Sequence, residues 1–153
     1  MTFSAALTQL AQLTVAGVSH NYSIDTVPDA PQRAQLPALL VLPLMPEMQN
    51  NALFREVSKG FETLAFSSGL KSVTYVVTHL LLIAPVGQSK GLRAHLPLLV
   101  SVIDAYFAAL SANPLLSTTL LQPARVRVEP GIYALNGQEF YGCAFRHTWL
   151  IQA

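Results

Sequence analysis

Four histidines, one cysteine and eight acidic residues are the groups with most chemistry to offer in this 153-residue sequence. The histidines are His20, His79, His95 and His147. A zinc-binding helix needs two histidines, or a histidine and a carboxylate, one turn apart. No pair here has that spacing, so no metal ligand is assigned. His79 lies in an apolar run between Thr78 and Leu80 and reads as an interior histidine with satisfied nitrogens, not as a ligand or base. Cys143 and His147 alternate onto one face of a strand-like segment. A cysteine–histidine relay needs the two side chains within about 3 Å. Residues four apart on a strand are about 13 Å apart, so catalysis by that pair alone is not expected. Cys143, the only cysteine, has no partner for an internal disulfide or for a redox or zinc motif.

The carboxylates are Asp25, Asp29, Glu47, Glu56, Glu62, Asp104, Glu129 and Glu139. None of them forms a pair that suggests acid/base work, and no Asp-rich calcium loop is present. Asp104 follows Ile103 and reads as the polar face of a helix. Gly87 and Gly91 flank Gln88–Lys90 without the helical GK[ST] element of a phosphate-binding loop. Tyr141 and Trp149 share the Cys143 face. Such aromatics can stack a base or sugar, but here they read as sheet core or subunit contact. No catalytic, cofactor-binding or metal-binding residue is assigned, no cofactor is expected, and the chain reads as a non-enzyme. The alternative is a small-ligand-binding or enzymatic α+β domain. Its site would be assembled from dispersed residues such as Tyr75, His79, Asp104 and Tyr106 converging around a cleft.

Hydrophobic residues make up 52% of the chain and charged residues 11%. A typical soluble domain is roughly 25% charged, so part of the apolar surface is expected to lie under a partner subunit. Nine basic and eight acidic residues are spread thinly, without a basic stripe, which argues against a nucleic-acid partner. Arg125 and Arg127 point the same way on a strand and read as a rim pair. The start, MTFSAALTQLAQLTVAG, lacks the basic n-region and continuous apolar core of a signal peptide. The most apolar window, Val73–Val86, is interrupted by Thr74, Tyr75, Thr78 and His79. It falls short of the roughly 18–20 apolar residues of a membrane span. A soluble, cytoplasmic, single domain over residues 1–153, with no membrane partner, is the expectation.

The elements that must position these groups follow from periodicity. Phe3–Val15 has helical spacing, with Thr2 or Ser4 as cap and Gly17 as stop. SHNYSIDTV reads as a first strand with Tyr22 and Ile24 on one face. Pro28–Gln35 is a loop. Leu36–Leu44 reads as a short strand limited by Pro37 and Pro43. Its lack of charge predicts cover on both faces, by helices on one and by another subunit on the other. Met45–Gly60 suggests a turn and a short irregular or helical piece. Phe61–Phe66 and Lys71–Pro85 predict a hairpin turning at Ser67–Ser68–Gly69, and the second segment has the β-branched content of a central strand. Pro85–Arg93 is a polar loop. Leu96–Ala112 predicts a helix with Leu96, Leu99, Val100, Ile103, Phe107 and Leu110 as its apolar stripe and Tyr106 beside it. Asn113–Pro114 ends it. Asn136–Gly137 predicts a type I′ turn between the last two strands. The fold class is α+β: an antiparallel or mixed sheet packed against two helices, with a C-terminal β-hairpin.

This run of segments resembles the tail-terminator or tail-completion proteins of tailed bacteriophages and prophages. The likeness covers nearly the full chain. It runs through LTVAGVSHNYSIDTVP, LPALLVLP, VTYVVTHLLLIAP, the helix LPLLVSVIDAYFAALSANPLL, and ARVRVEPGIYALNGQEFYGCAFRHTWLIQ. The family's N-P-x-L stretch appears as Asn113, Pro114 and Leu116. Its Y-x-G-x-x-F pattern appears as Tyr141 with Phe145 one residue tighter. Where the family carries a glycine pair after the leucine, this chain has Ser117, Thr118 and Thr119. The resemblance implies a structural assembly protein. Such a subunit forms a ring, commonly sixfold, at the end of the tail tube and contacts other tail proteins. It would be cytoplasmic during assembly and then part of a virion or phage-like tail.

Overall fold

The computed structural model describes residues 2–43, 62–67, 70–87 and 91–152, and of 62–67 and 70 the backbone alone. Its elements are α1 (Phe3–Ala11), β1 (His20–Tyr22), a 3-10 turn (Arg33–Gln35), β2 (Ala38–Leu42), β3 (Glu62–Ser67), β4 (Leu70–Pro85), α2 (Leu92–Ala112), β5 (Arg125–Leu135) and β6 (Gln138–Gln152). The fold is α+β. One mixed sheet has the strand order β1-β2-β4-β6-β5, with β3 also paired to β4. Only β1 and β2 run parallel; every other pairing is antiparallel.

The sheet is organised by β4. Along one edge β6 pairs with it from Ser72↔Gln152 to Pro85↔Phe140. On the other edge β2 pairs with Thr78–Leu82 and β3 with Leu70–Thr74. The two short strands therefore lie in line on one side of a single long one. The expected hairpin is present, with Ser67 opposite Leu70. The predicted piece at Met45–Gly60 and the turn residues Ser68–Gly69 lie outside the described residues, as do Gln88–Lys90 of the polar loop.

Side chains alternate across the sheet, and each face has its own core. Val77, Leu81, Phe145 and Trp149 meet the two helices. Leu40, Leu80, Leu82 and Ala144 meet Tyr133, Leu135 and Phe140 on the other side. All five residues of β2 are buried. The expected double cover is real, but its source differs. Leu40 is 0% exposed and Leu42 5%, sealed by this chain's own Tyr133, Leu135 and Phe140 together with Tyr22, Val27 and Leu36. A second subunit is not needed there.

Three element boundaries also differ from expectation. Thr2 caps α1 by accepting from the Ala5 amide at 3.1 Å, but the helix stops at Ala11 and not at Val15. The Asn21 amide donates to the carbonyls of Leu10 and Leu13, at 3.1 and 3.0 Å, and so takes acceptors that the next turn would have used. The first strand is shorter than predicted, and Ile24 is half exposed. α2 begins at Leu92, with Pro97 inside it, and buries Leu99, Val102 and Tyr106. Tyr106 thus belongs to the core stripe, while Phe107 and Val100 face outward. α2 is long and apolar enough to cross a membrane by length and composition, yet here it lies on β4 and β6. The last hairpin forms as predicted. Asn136 and Gly137 have φ of 50° and 79°, the pair of positive values that a type I′ turn requires.

Candidate functional site

The polar side chains that converge do so inside the helix-facing core. His79 stands on β4 opposite Phe145 of β6, and His147 lies two residues further along β6. Alternation puts both imidazoles on the α2 side. Tyr106 comes down from α2 and stacks on Phe145. Its hydroxyl sits between the two rings, 2.8 Å from His79 Nδ1 and 2.6 Å from His147 Nε2. Trp149 Nε1 lies 3.2 Å from His147 Nδ1. At the far end, His79 Nε2 is 2.8 Å from Asn21 Oδ1.

The direction of every bond in this chain follows from its two ends. An indole N–H only donates, so His147 Nδ1 accepts. A neutral His147 then carries its proton on Nε2 and donates to the Tyr106 oxygen. Tyr106 passes its own proton to His79 Nδ1, which leaves the His79 proton on Nε2, facing Asn21 Oδ1. The Asn21 end gives the same answer independently. Its Nδ2 faces two carbonyls, so its oxygen must be the acceptor toward His79. Six hydrogen bonds close without a missing or surplus proton.

Electrostatics keep the chain uncharged. Burial lowers the pKa of His79 well below the usual histidine range, with His147 adding to the effect. Burial alone brings His147 down to about 3. Tyr106 is raised well above the phenol range by burial, then by Cys143. The Cys143 thiol is pushed up to about 12, again chiefly by burial. A protonated thiol of that kind is a poor nucleophile. His79, Tyr106, His147 and Trp149 are all 0% exposed. Two surface clefts, of about 230 and 380 Å³, are lined by other residues. The geometry of this chain ties elements together, with its two imidazoles and its phenol fully buried.

Of the four dispersed candidates, His79 and Tyr106 come together, but in packed core and not around a cleft. Tyr75 stacks flat on Phe3, centroids 4.1 Å apart. Asp104 is exposed on α2, as expected of a polar face. Cys143 and His147 share a face without bonding to each other; the thiol points toward the Ala144 carbonyl. His95 packs beside Tyr141, and His20 stacks on Tyr22. Arg127 pairs with Glu129 at the rim, and Arg146 reaches the same carboxylate. Among the described residues no group of three or more His, Cys, Asp or Glu side chains is arranged to hold a metal ion. The sequence reading missed Asn21, and it missed that His147 and Trp149 extend the His79 chain. The β4–β6 register, which places His79 and His147 diagonally on one face, is the signal that would have joined them. Neither family models, curated proteins nor solved structures contain a match to this chain.

Proposed function

We propose that the chain is a structural subunit of a phage-like tail, of the tail-terminator or tail-completion type, which builds a ring by protein–protein contacts. The observation that carries the assembly reading is the outer face of α2. Leu92, Leu96, Val100 and Phe107 are 46, 42, 56 and 43% exposed. At 100° per residue they fall within one sector of about 80°, which also holds the half-buried Ile103 and Leu110 on the side nearer the sheet. A continuous apolar stripe on a soluble surface marks a contact site. The imidazoles and the phenol of the polar chain are fully buried, which weighs against a catalytic role for them.

The turn after α2 supports the family. Where tail-terminator proteins carry a glycine pair, this chain has Ser117, Thr118 and Thr119. The first two of these, Ser117 and Thr118, have φ of 55° and 65°, the left-handed conformation that glycine adopts without steric cost. The departure from the family pattern thus sits where the backbone keeps a shape suited to glycine.

Solution mass tests the proposal. Sedimentation velocity and native mass spectrometry should find a closed oligomer, six copies if the common ring size of the family holds. Val100→Glu with Phe107→Glu should leave folded monomers with an unchanged circular dichroism spectrum. A wild-type chain that stays monomeric at all concentrations and does not assemble with tail-tube subunits would overturn it.

A further inference from the structure

We propose that the Asn21–His79–Tyr106–His147–Trp149 chain is an acid-operated latch that holds α2 and the end of α1 on the sheet. The inference does not depend on the tail reading. Three features carry it. The first is directional. The nitrogens available to a new proton are His147 Nδ1 and His79 Nδ1, and each already accepts a hydrogen bond, from Trp149 Nε1–H and from Tyr106 O–H. A proton on His147 Nδ1 sets two donors face to face. A proton on His79 Nδ1 leaves the Tyr106 hydrogen without an acceptor, because the Tyr106 oxygen receives from His147 on its other side. The chain has no alternative arrangement that keeps both bonds.

The second feature is the surroundings. The titratable groups facing the two imidazoles are each other, Tyr106 from α2 and, beside Tyr106, Cys143 from β6. Asn21 faces His79 from β1, and Trp149 faces His147 on β6. Neither ring has a carboxylate, lysine or arginine as hydrogen-bond or ion-pair partner among the described residues, so nothing there offsets an added positive charge. Burial disfavours it further.

The third feature is what the latch fastens. α2 buries only Leu99, Val102 and Tyr106, and Tyr106 makes its polar bonds to the sheet. Asn21 at the other end holds the Leu10 carbonyl of α1 and the Leu13 carbonyl just past its end. Loss of the chain leaves α2 attached by Leu99, Val102, the Tyr106–Phe145 stack and its half-buried neighbours, with no polar tie to the sheet among the described residues, while the β4–β6 ladder is untouched. Acid should therefore free α2 before it unfolds the sheet. An ordinary histidine titrates near 6.5, so release begins below that pH. With both imidazoles protonated in the open form, the opening equilibrium rises up to about 100-fold per pH unit.

Hydrogen exchange of the full chain between pH 7 and pH 4, corrected for intrinsic exchange, reads this directly. Peptides from Leu92–Ala112 should lose protection at a higher pH than peptides from β4 and β6, with a slope approaching two protons. Emission from Trp149, the single tryptophan, should change over the same range. The variant His79→Leu/Tyr106→Phe/His147→Leu, which has no group to protonate, should keep α2 protected throughout. The same acid release in that variant, or simultaneous loss of α2 and sheet in the wild type, would overturn the latch. If the variant fails to fold, the order of release in the wild type decides. Nitrogen chemical shifts at pH 7 provide a second check, since both imidazoles must be neutral with the proton on Nε2.

Discussion

Tyr106 lies flat on Phe145, with ring centroids 3.7 Å apart and planes 10° from parallel. This stack delivers the phenol oxygen to a point between two strands where a donor and an acceptor wait. Removing the oxygen alone keeps the stack and strands both partners. Tyr106→Phe leaves the His147 N–H and His79 Nδ1 buried and unpaired, at about 1–3 kcal/mol each. The imidazole centroids are 6.5 Å apart, too far for the rings to bond directly. The variant should lose about 2–6 kcal/mol in urea unfolding, with an unchanged m value. A loss under about 0.5 kcal/mol would mean that the chain adds little to stability.

Leu116, Ser117 and Thr118 follow one another at φ of 45°, 55° and 65°. Each left-handed non-glycine residue costs about 1–2 kcal/mol, and a β-branched side chain is least suited to the region. The turn persists because Leu116 is fully buried and because the Asn113 side chain accepts from the Ser117 amide at 2.7 Å. Thr118 is exposed and has no packing to lose. Thr118→Gly should relieve the strain. After the backbone entropy that glycine forfeits on folding, a net gain of roughly 0.5–1 kcal/mol remains. A raised thermal midpoint confirms it, and a lowered one refutes it.

Cys143 is fully buried on the helix face of β6, with its thiol pushed up to about 12 by burial. The thiolate is the reactive form, so the folded protein at pH 8 combines a protonated sulfur with no access for reagent. Iodoacetamide should label native protein orders of magnitude more slowly than protein in denaturant. Mass spectrometry after timed quenching measures the ratio. Rapid labelling of native protein would place Cys143 in a segment that opens readily.

What the sequence revealed depended on how local each determinant is. The Asn136–Gly137 turn and the long β4 pattern are written in adjacent residues, and both formed as read. The end of α1 is not local, because Asn21 sets it from eight and eleven residues away. The faces of α2 were also hidden. Leu96, Val100 and Phe107 are as apolar as Leu99 and Val102, so only the sheet beneath the helix selects which are buried. The polar chain shows the same limit. His79 was legible as an interior histidine, since leucines surround it. Its partners Tyr106 and Asn21 lie 27 and 58 residues away, and nothing local pairs them.

Gly142 marks a close approach of β4 and β6. It stands opposite Leu82, where the register shifts so that Ala84 meets Tyr141 and Ile83 is the extra residue of a bulge. A Cβ at Gly142 would lie 1.9 Å from the Leu81 carbonyl oxygen and 3.0 Å from its carbon. Those atoms are backbone in the central strand pair, so no side-chain rotation relieves the clash. The strands must part, which breaks ladder bonds and disturbs both cores. Gly142→Ala should therefore cost about 3 kcal/mol or more, at the upper end for overpacking. Gly137 is the internal comparison. Its φ is 79°, but a Cβ there meets nothing within 4 Å, so Gly137→Ala should cost only the left-handed penalty of about 1–2 kcal/mol. Denaturant unfolding of the two variants side by side tests the ranking. Equal losses would mean that the β4–β6 contact yields more easily than its backbone geometry implies.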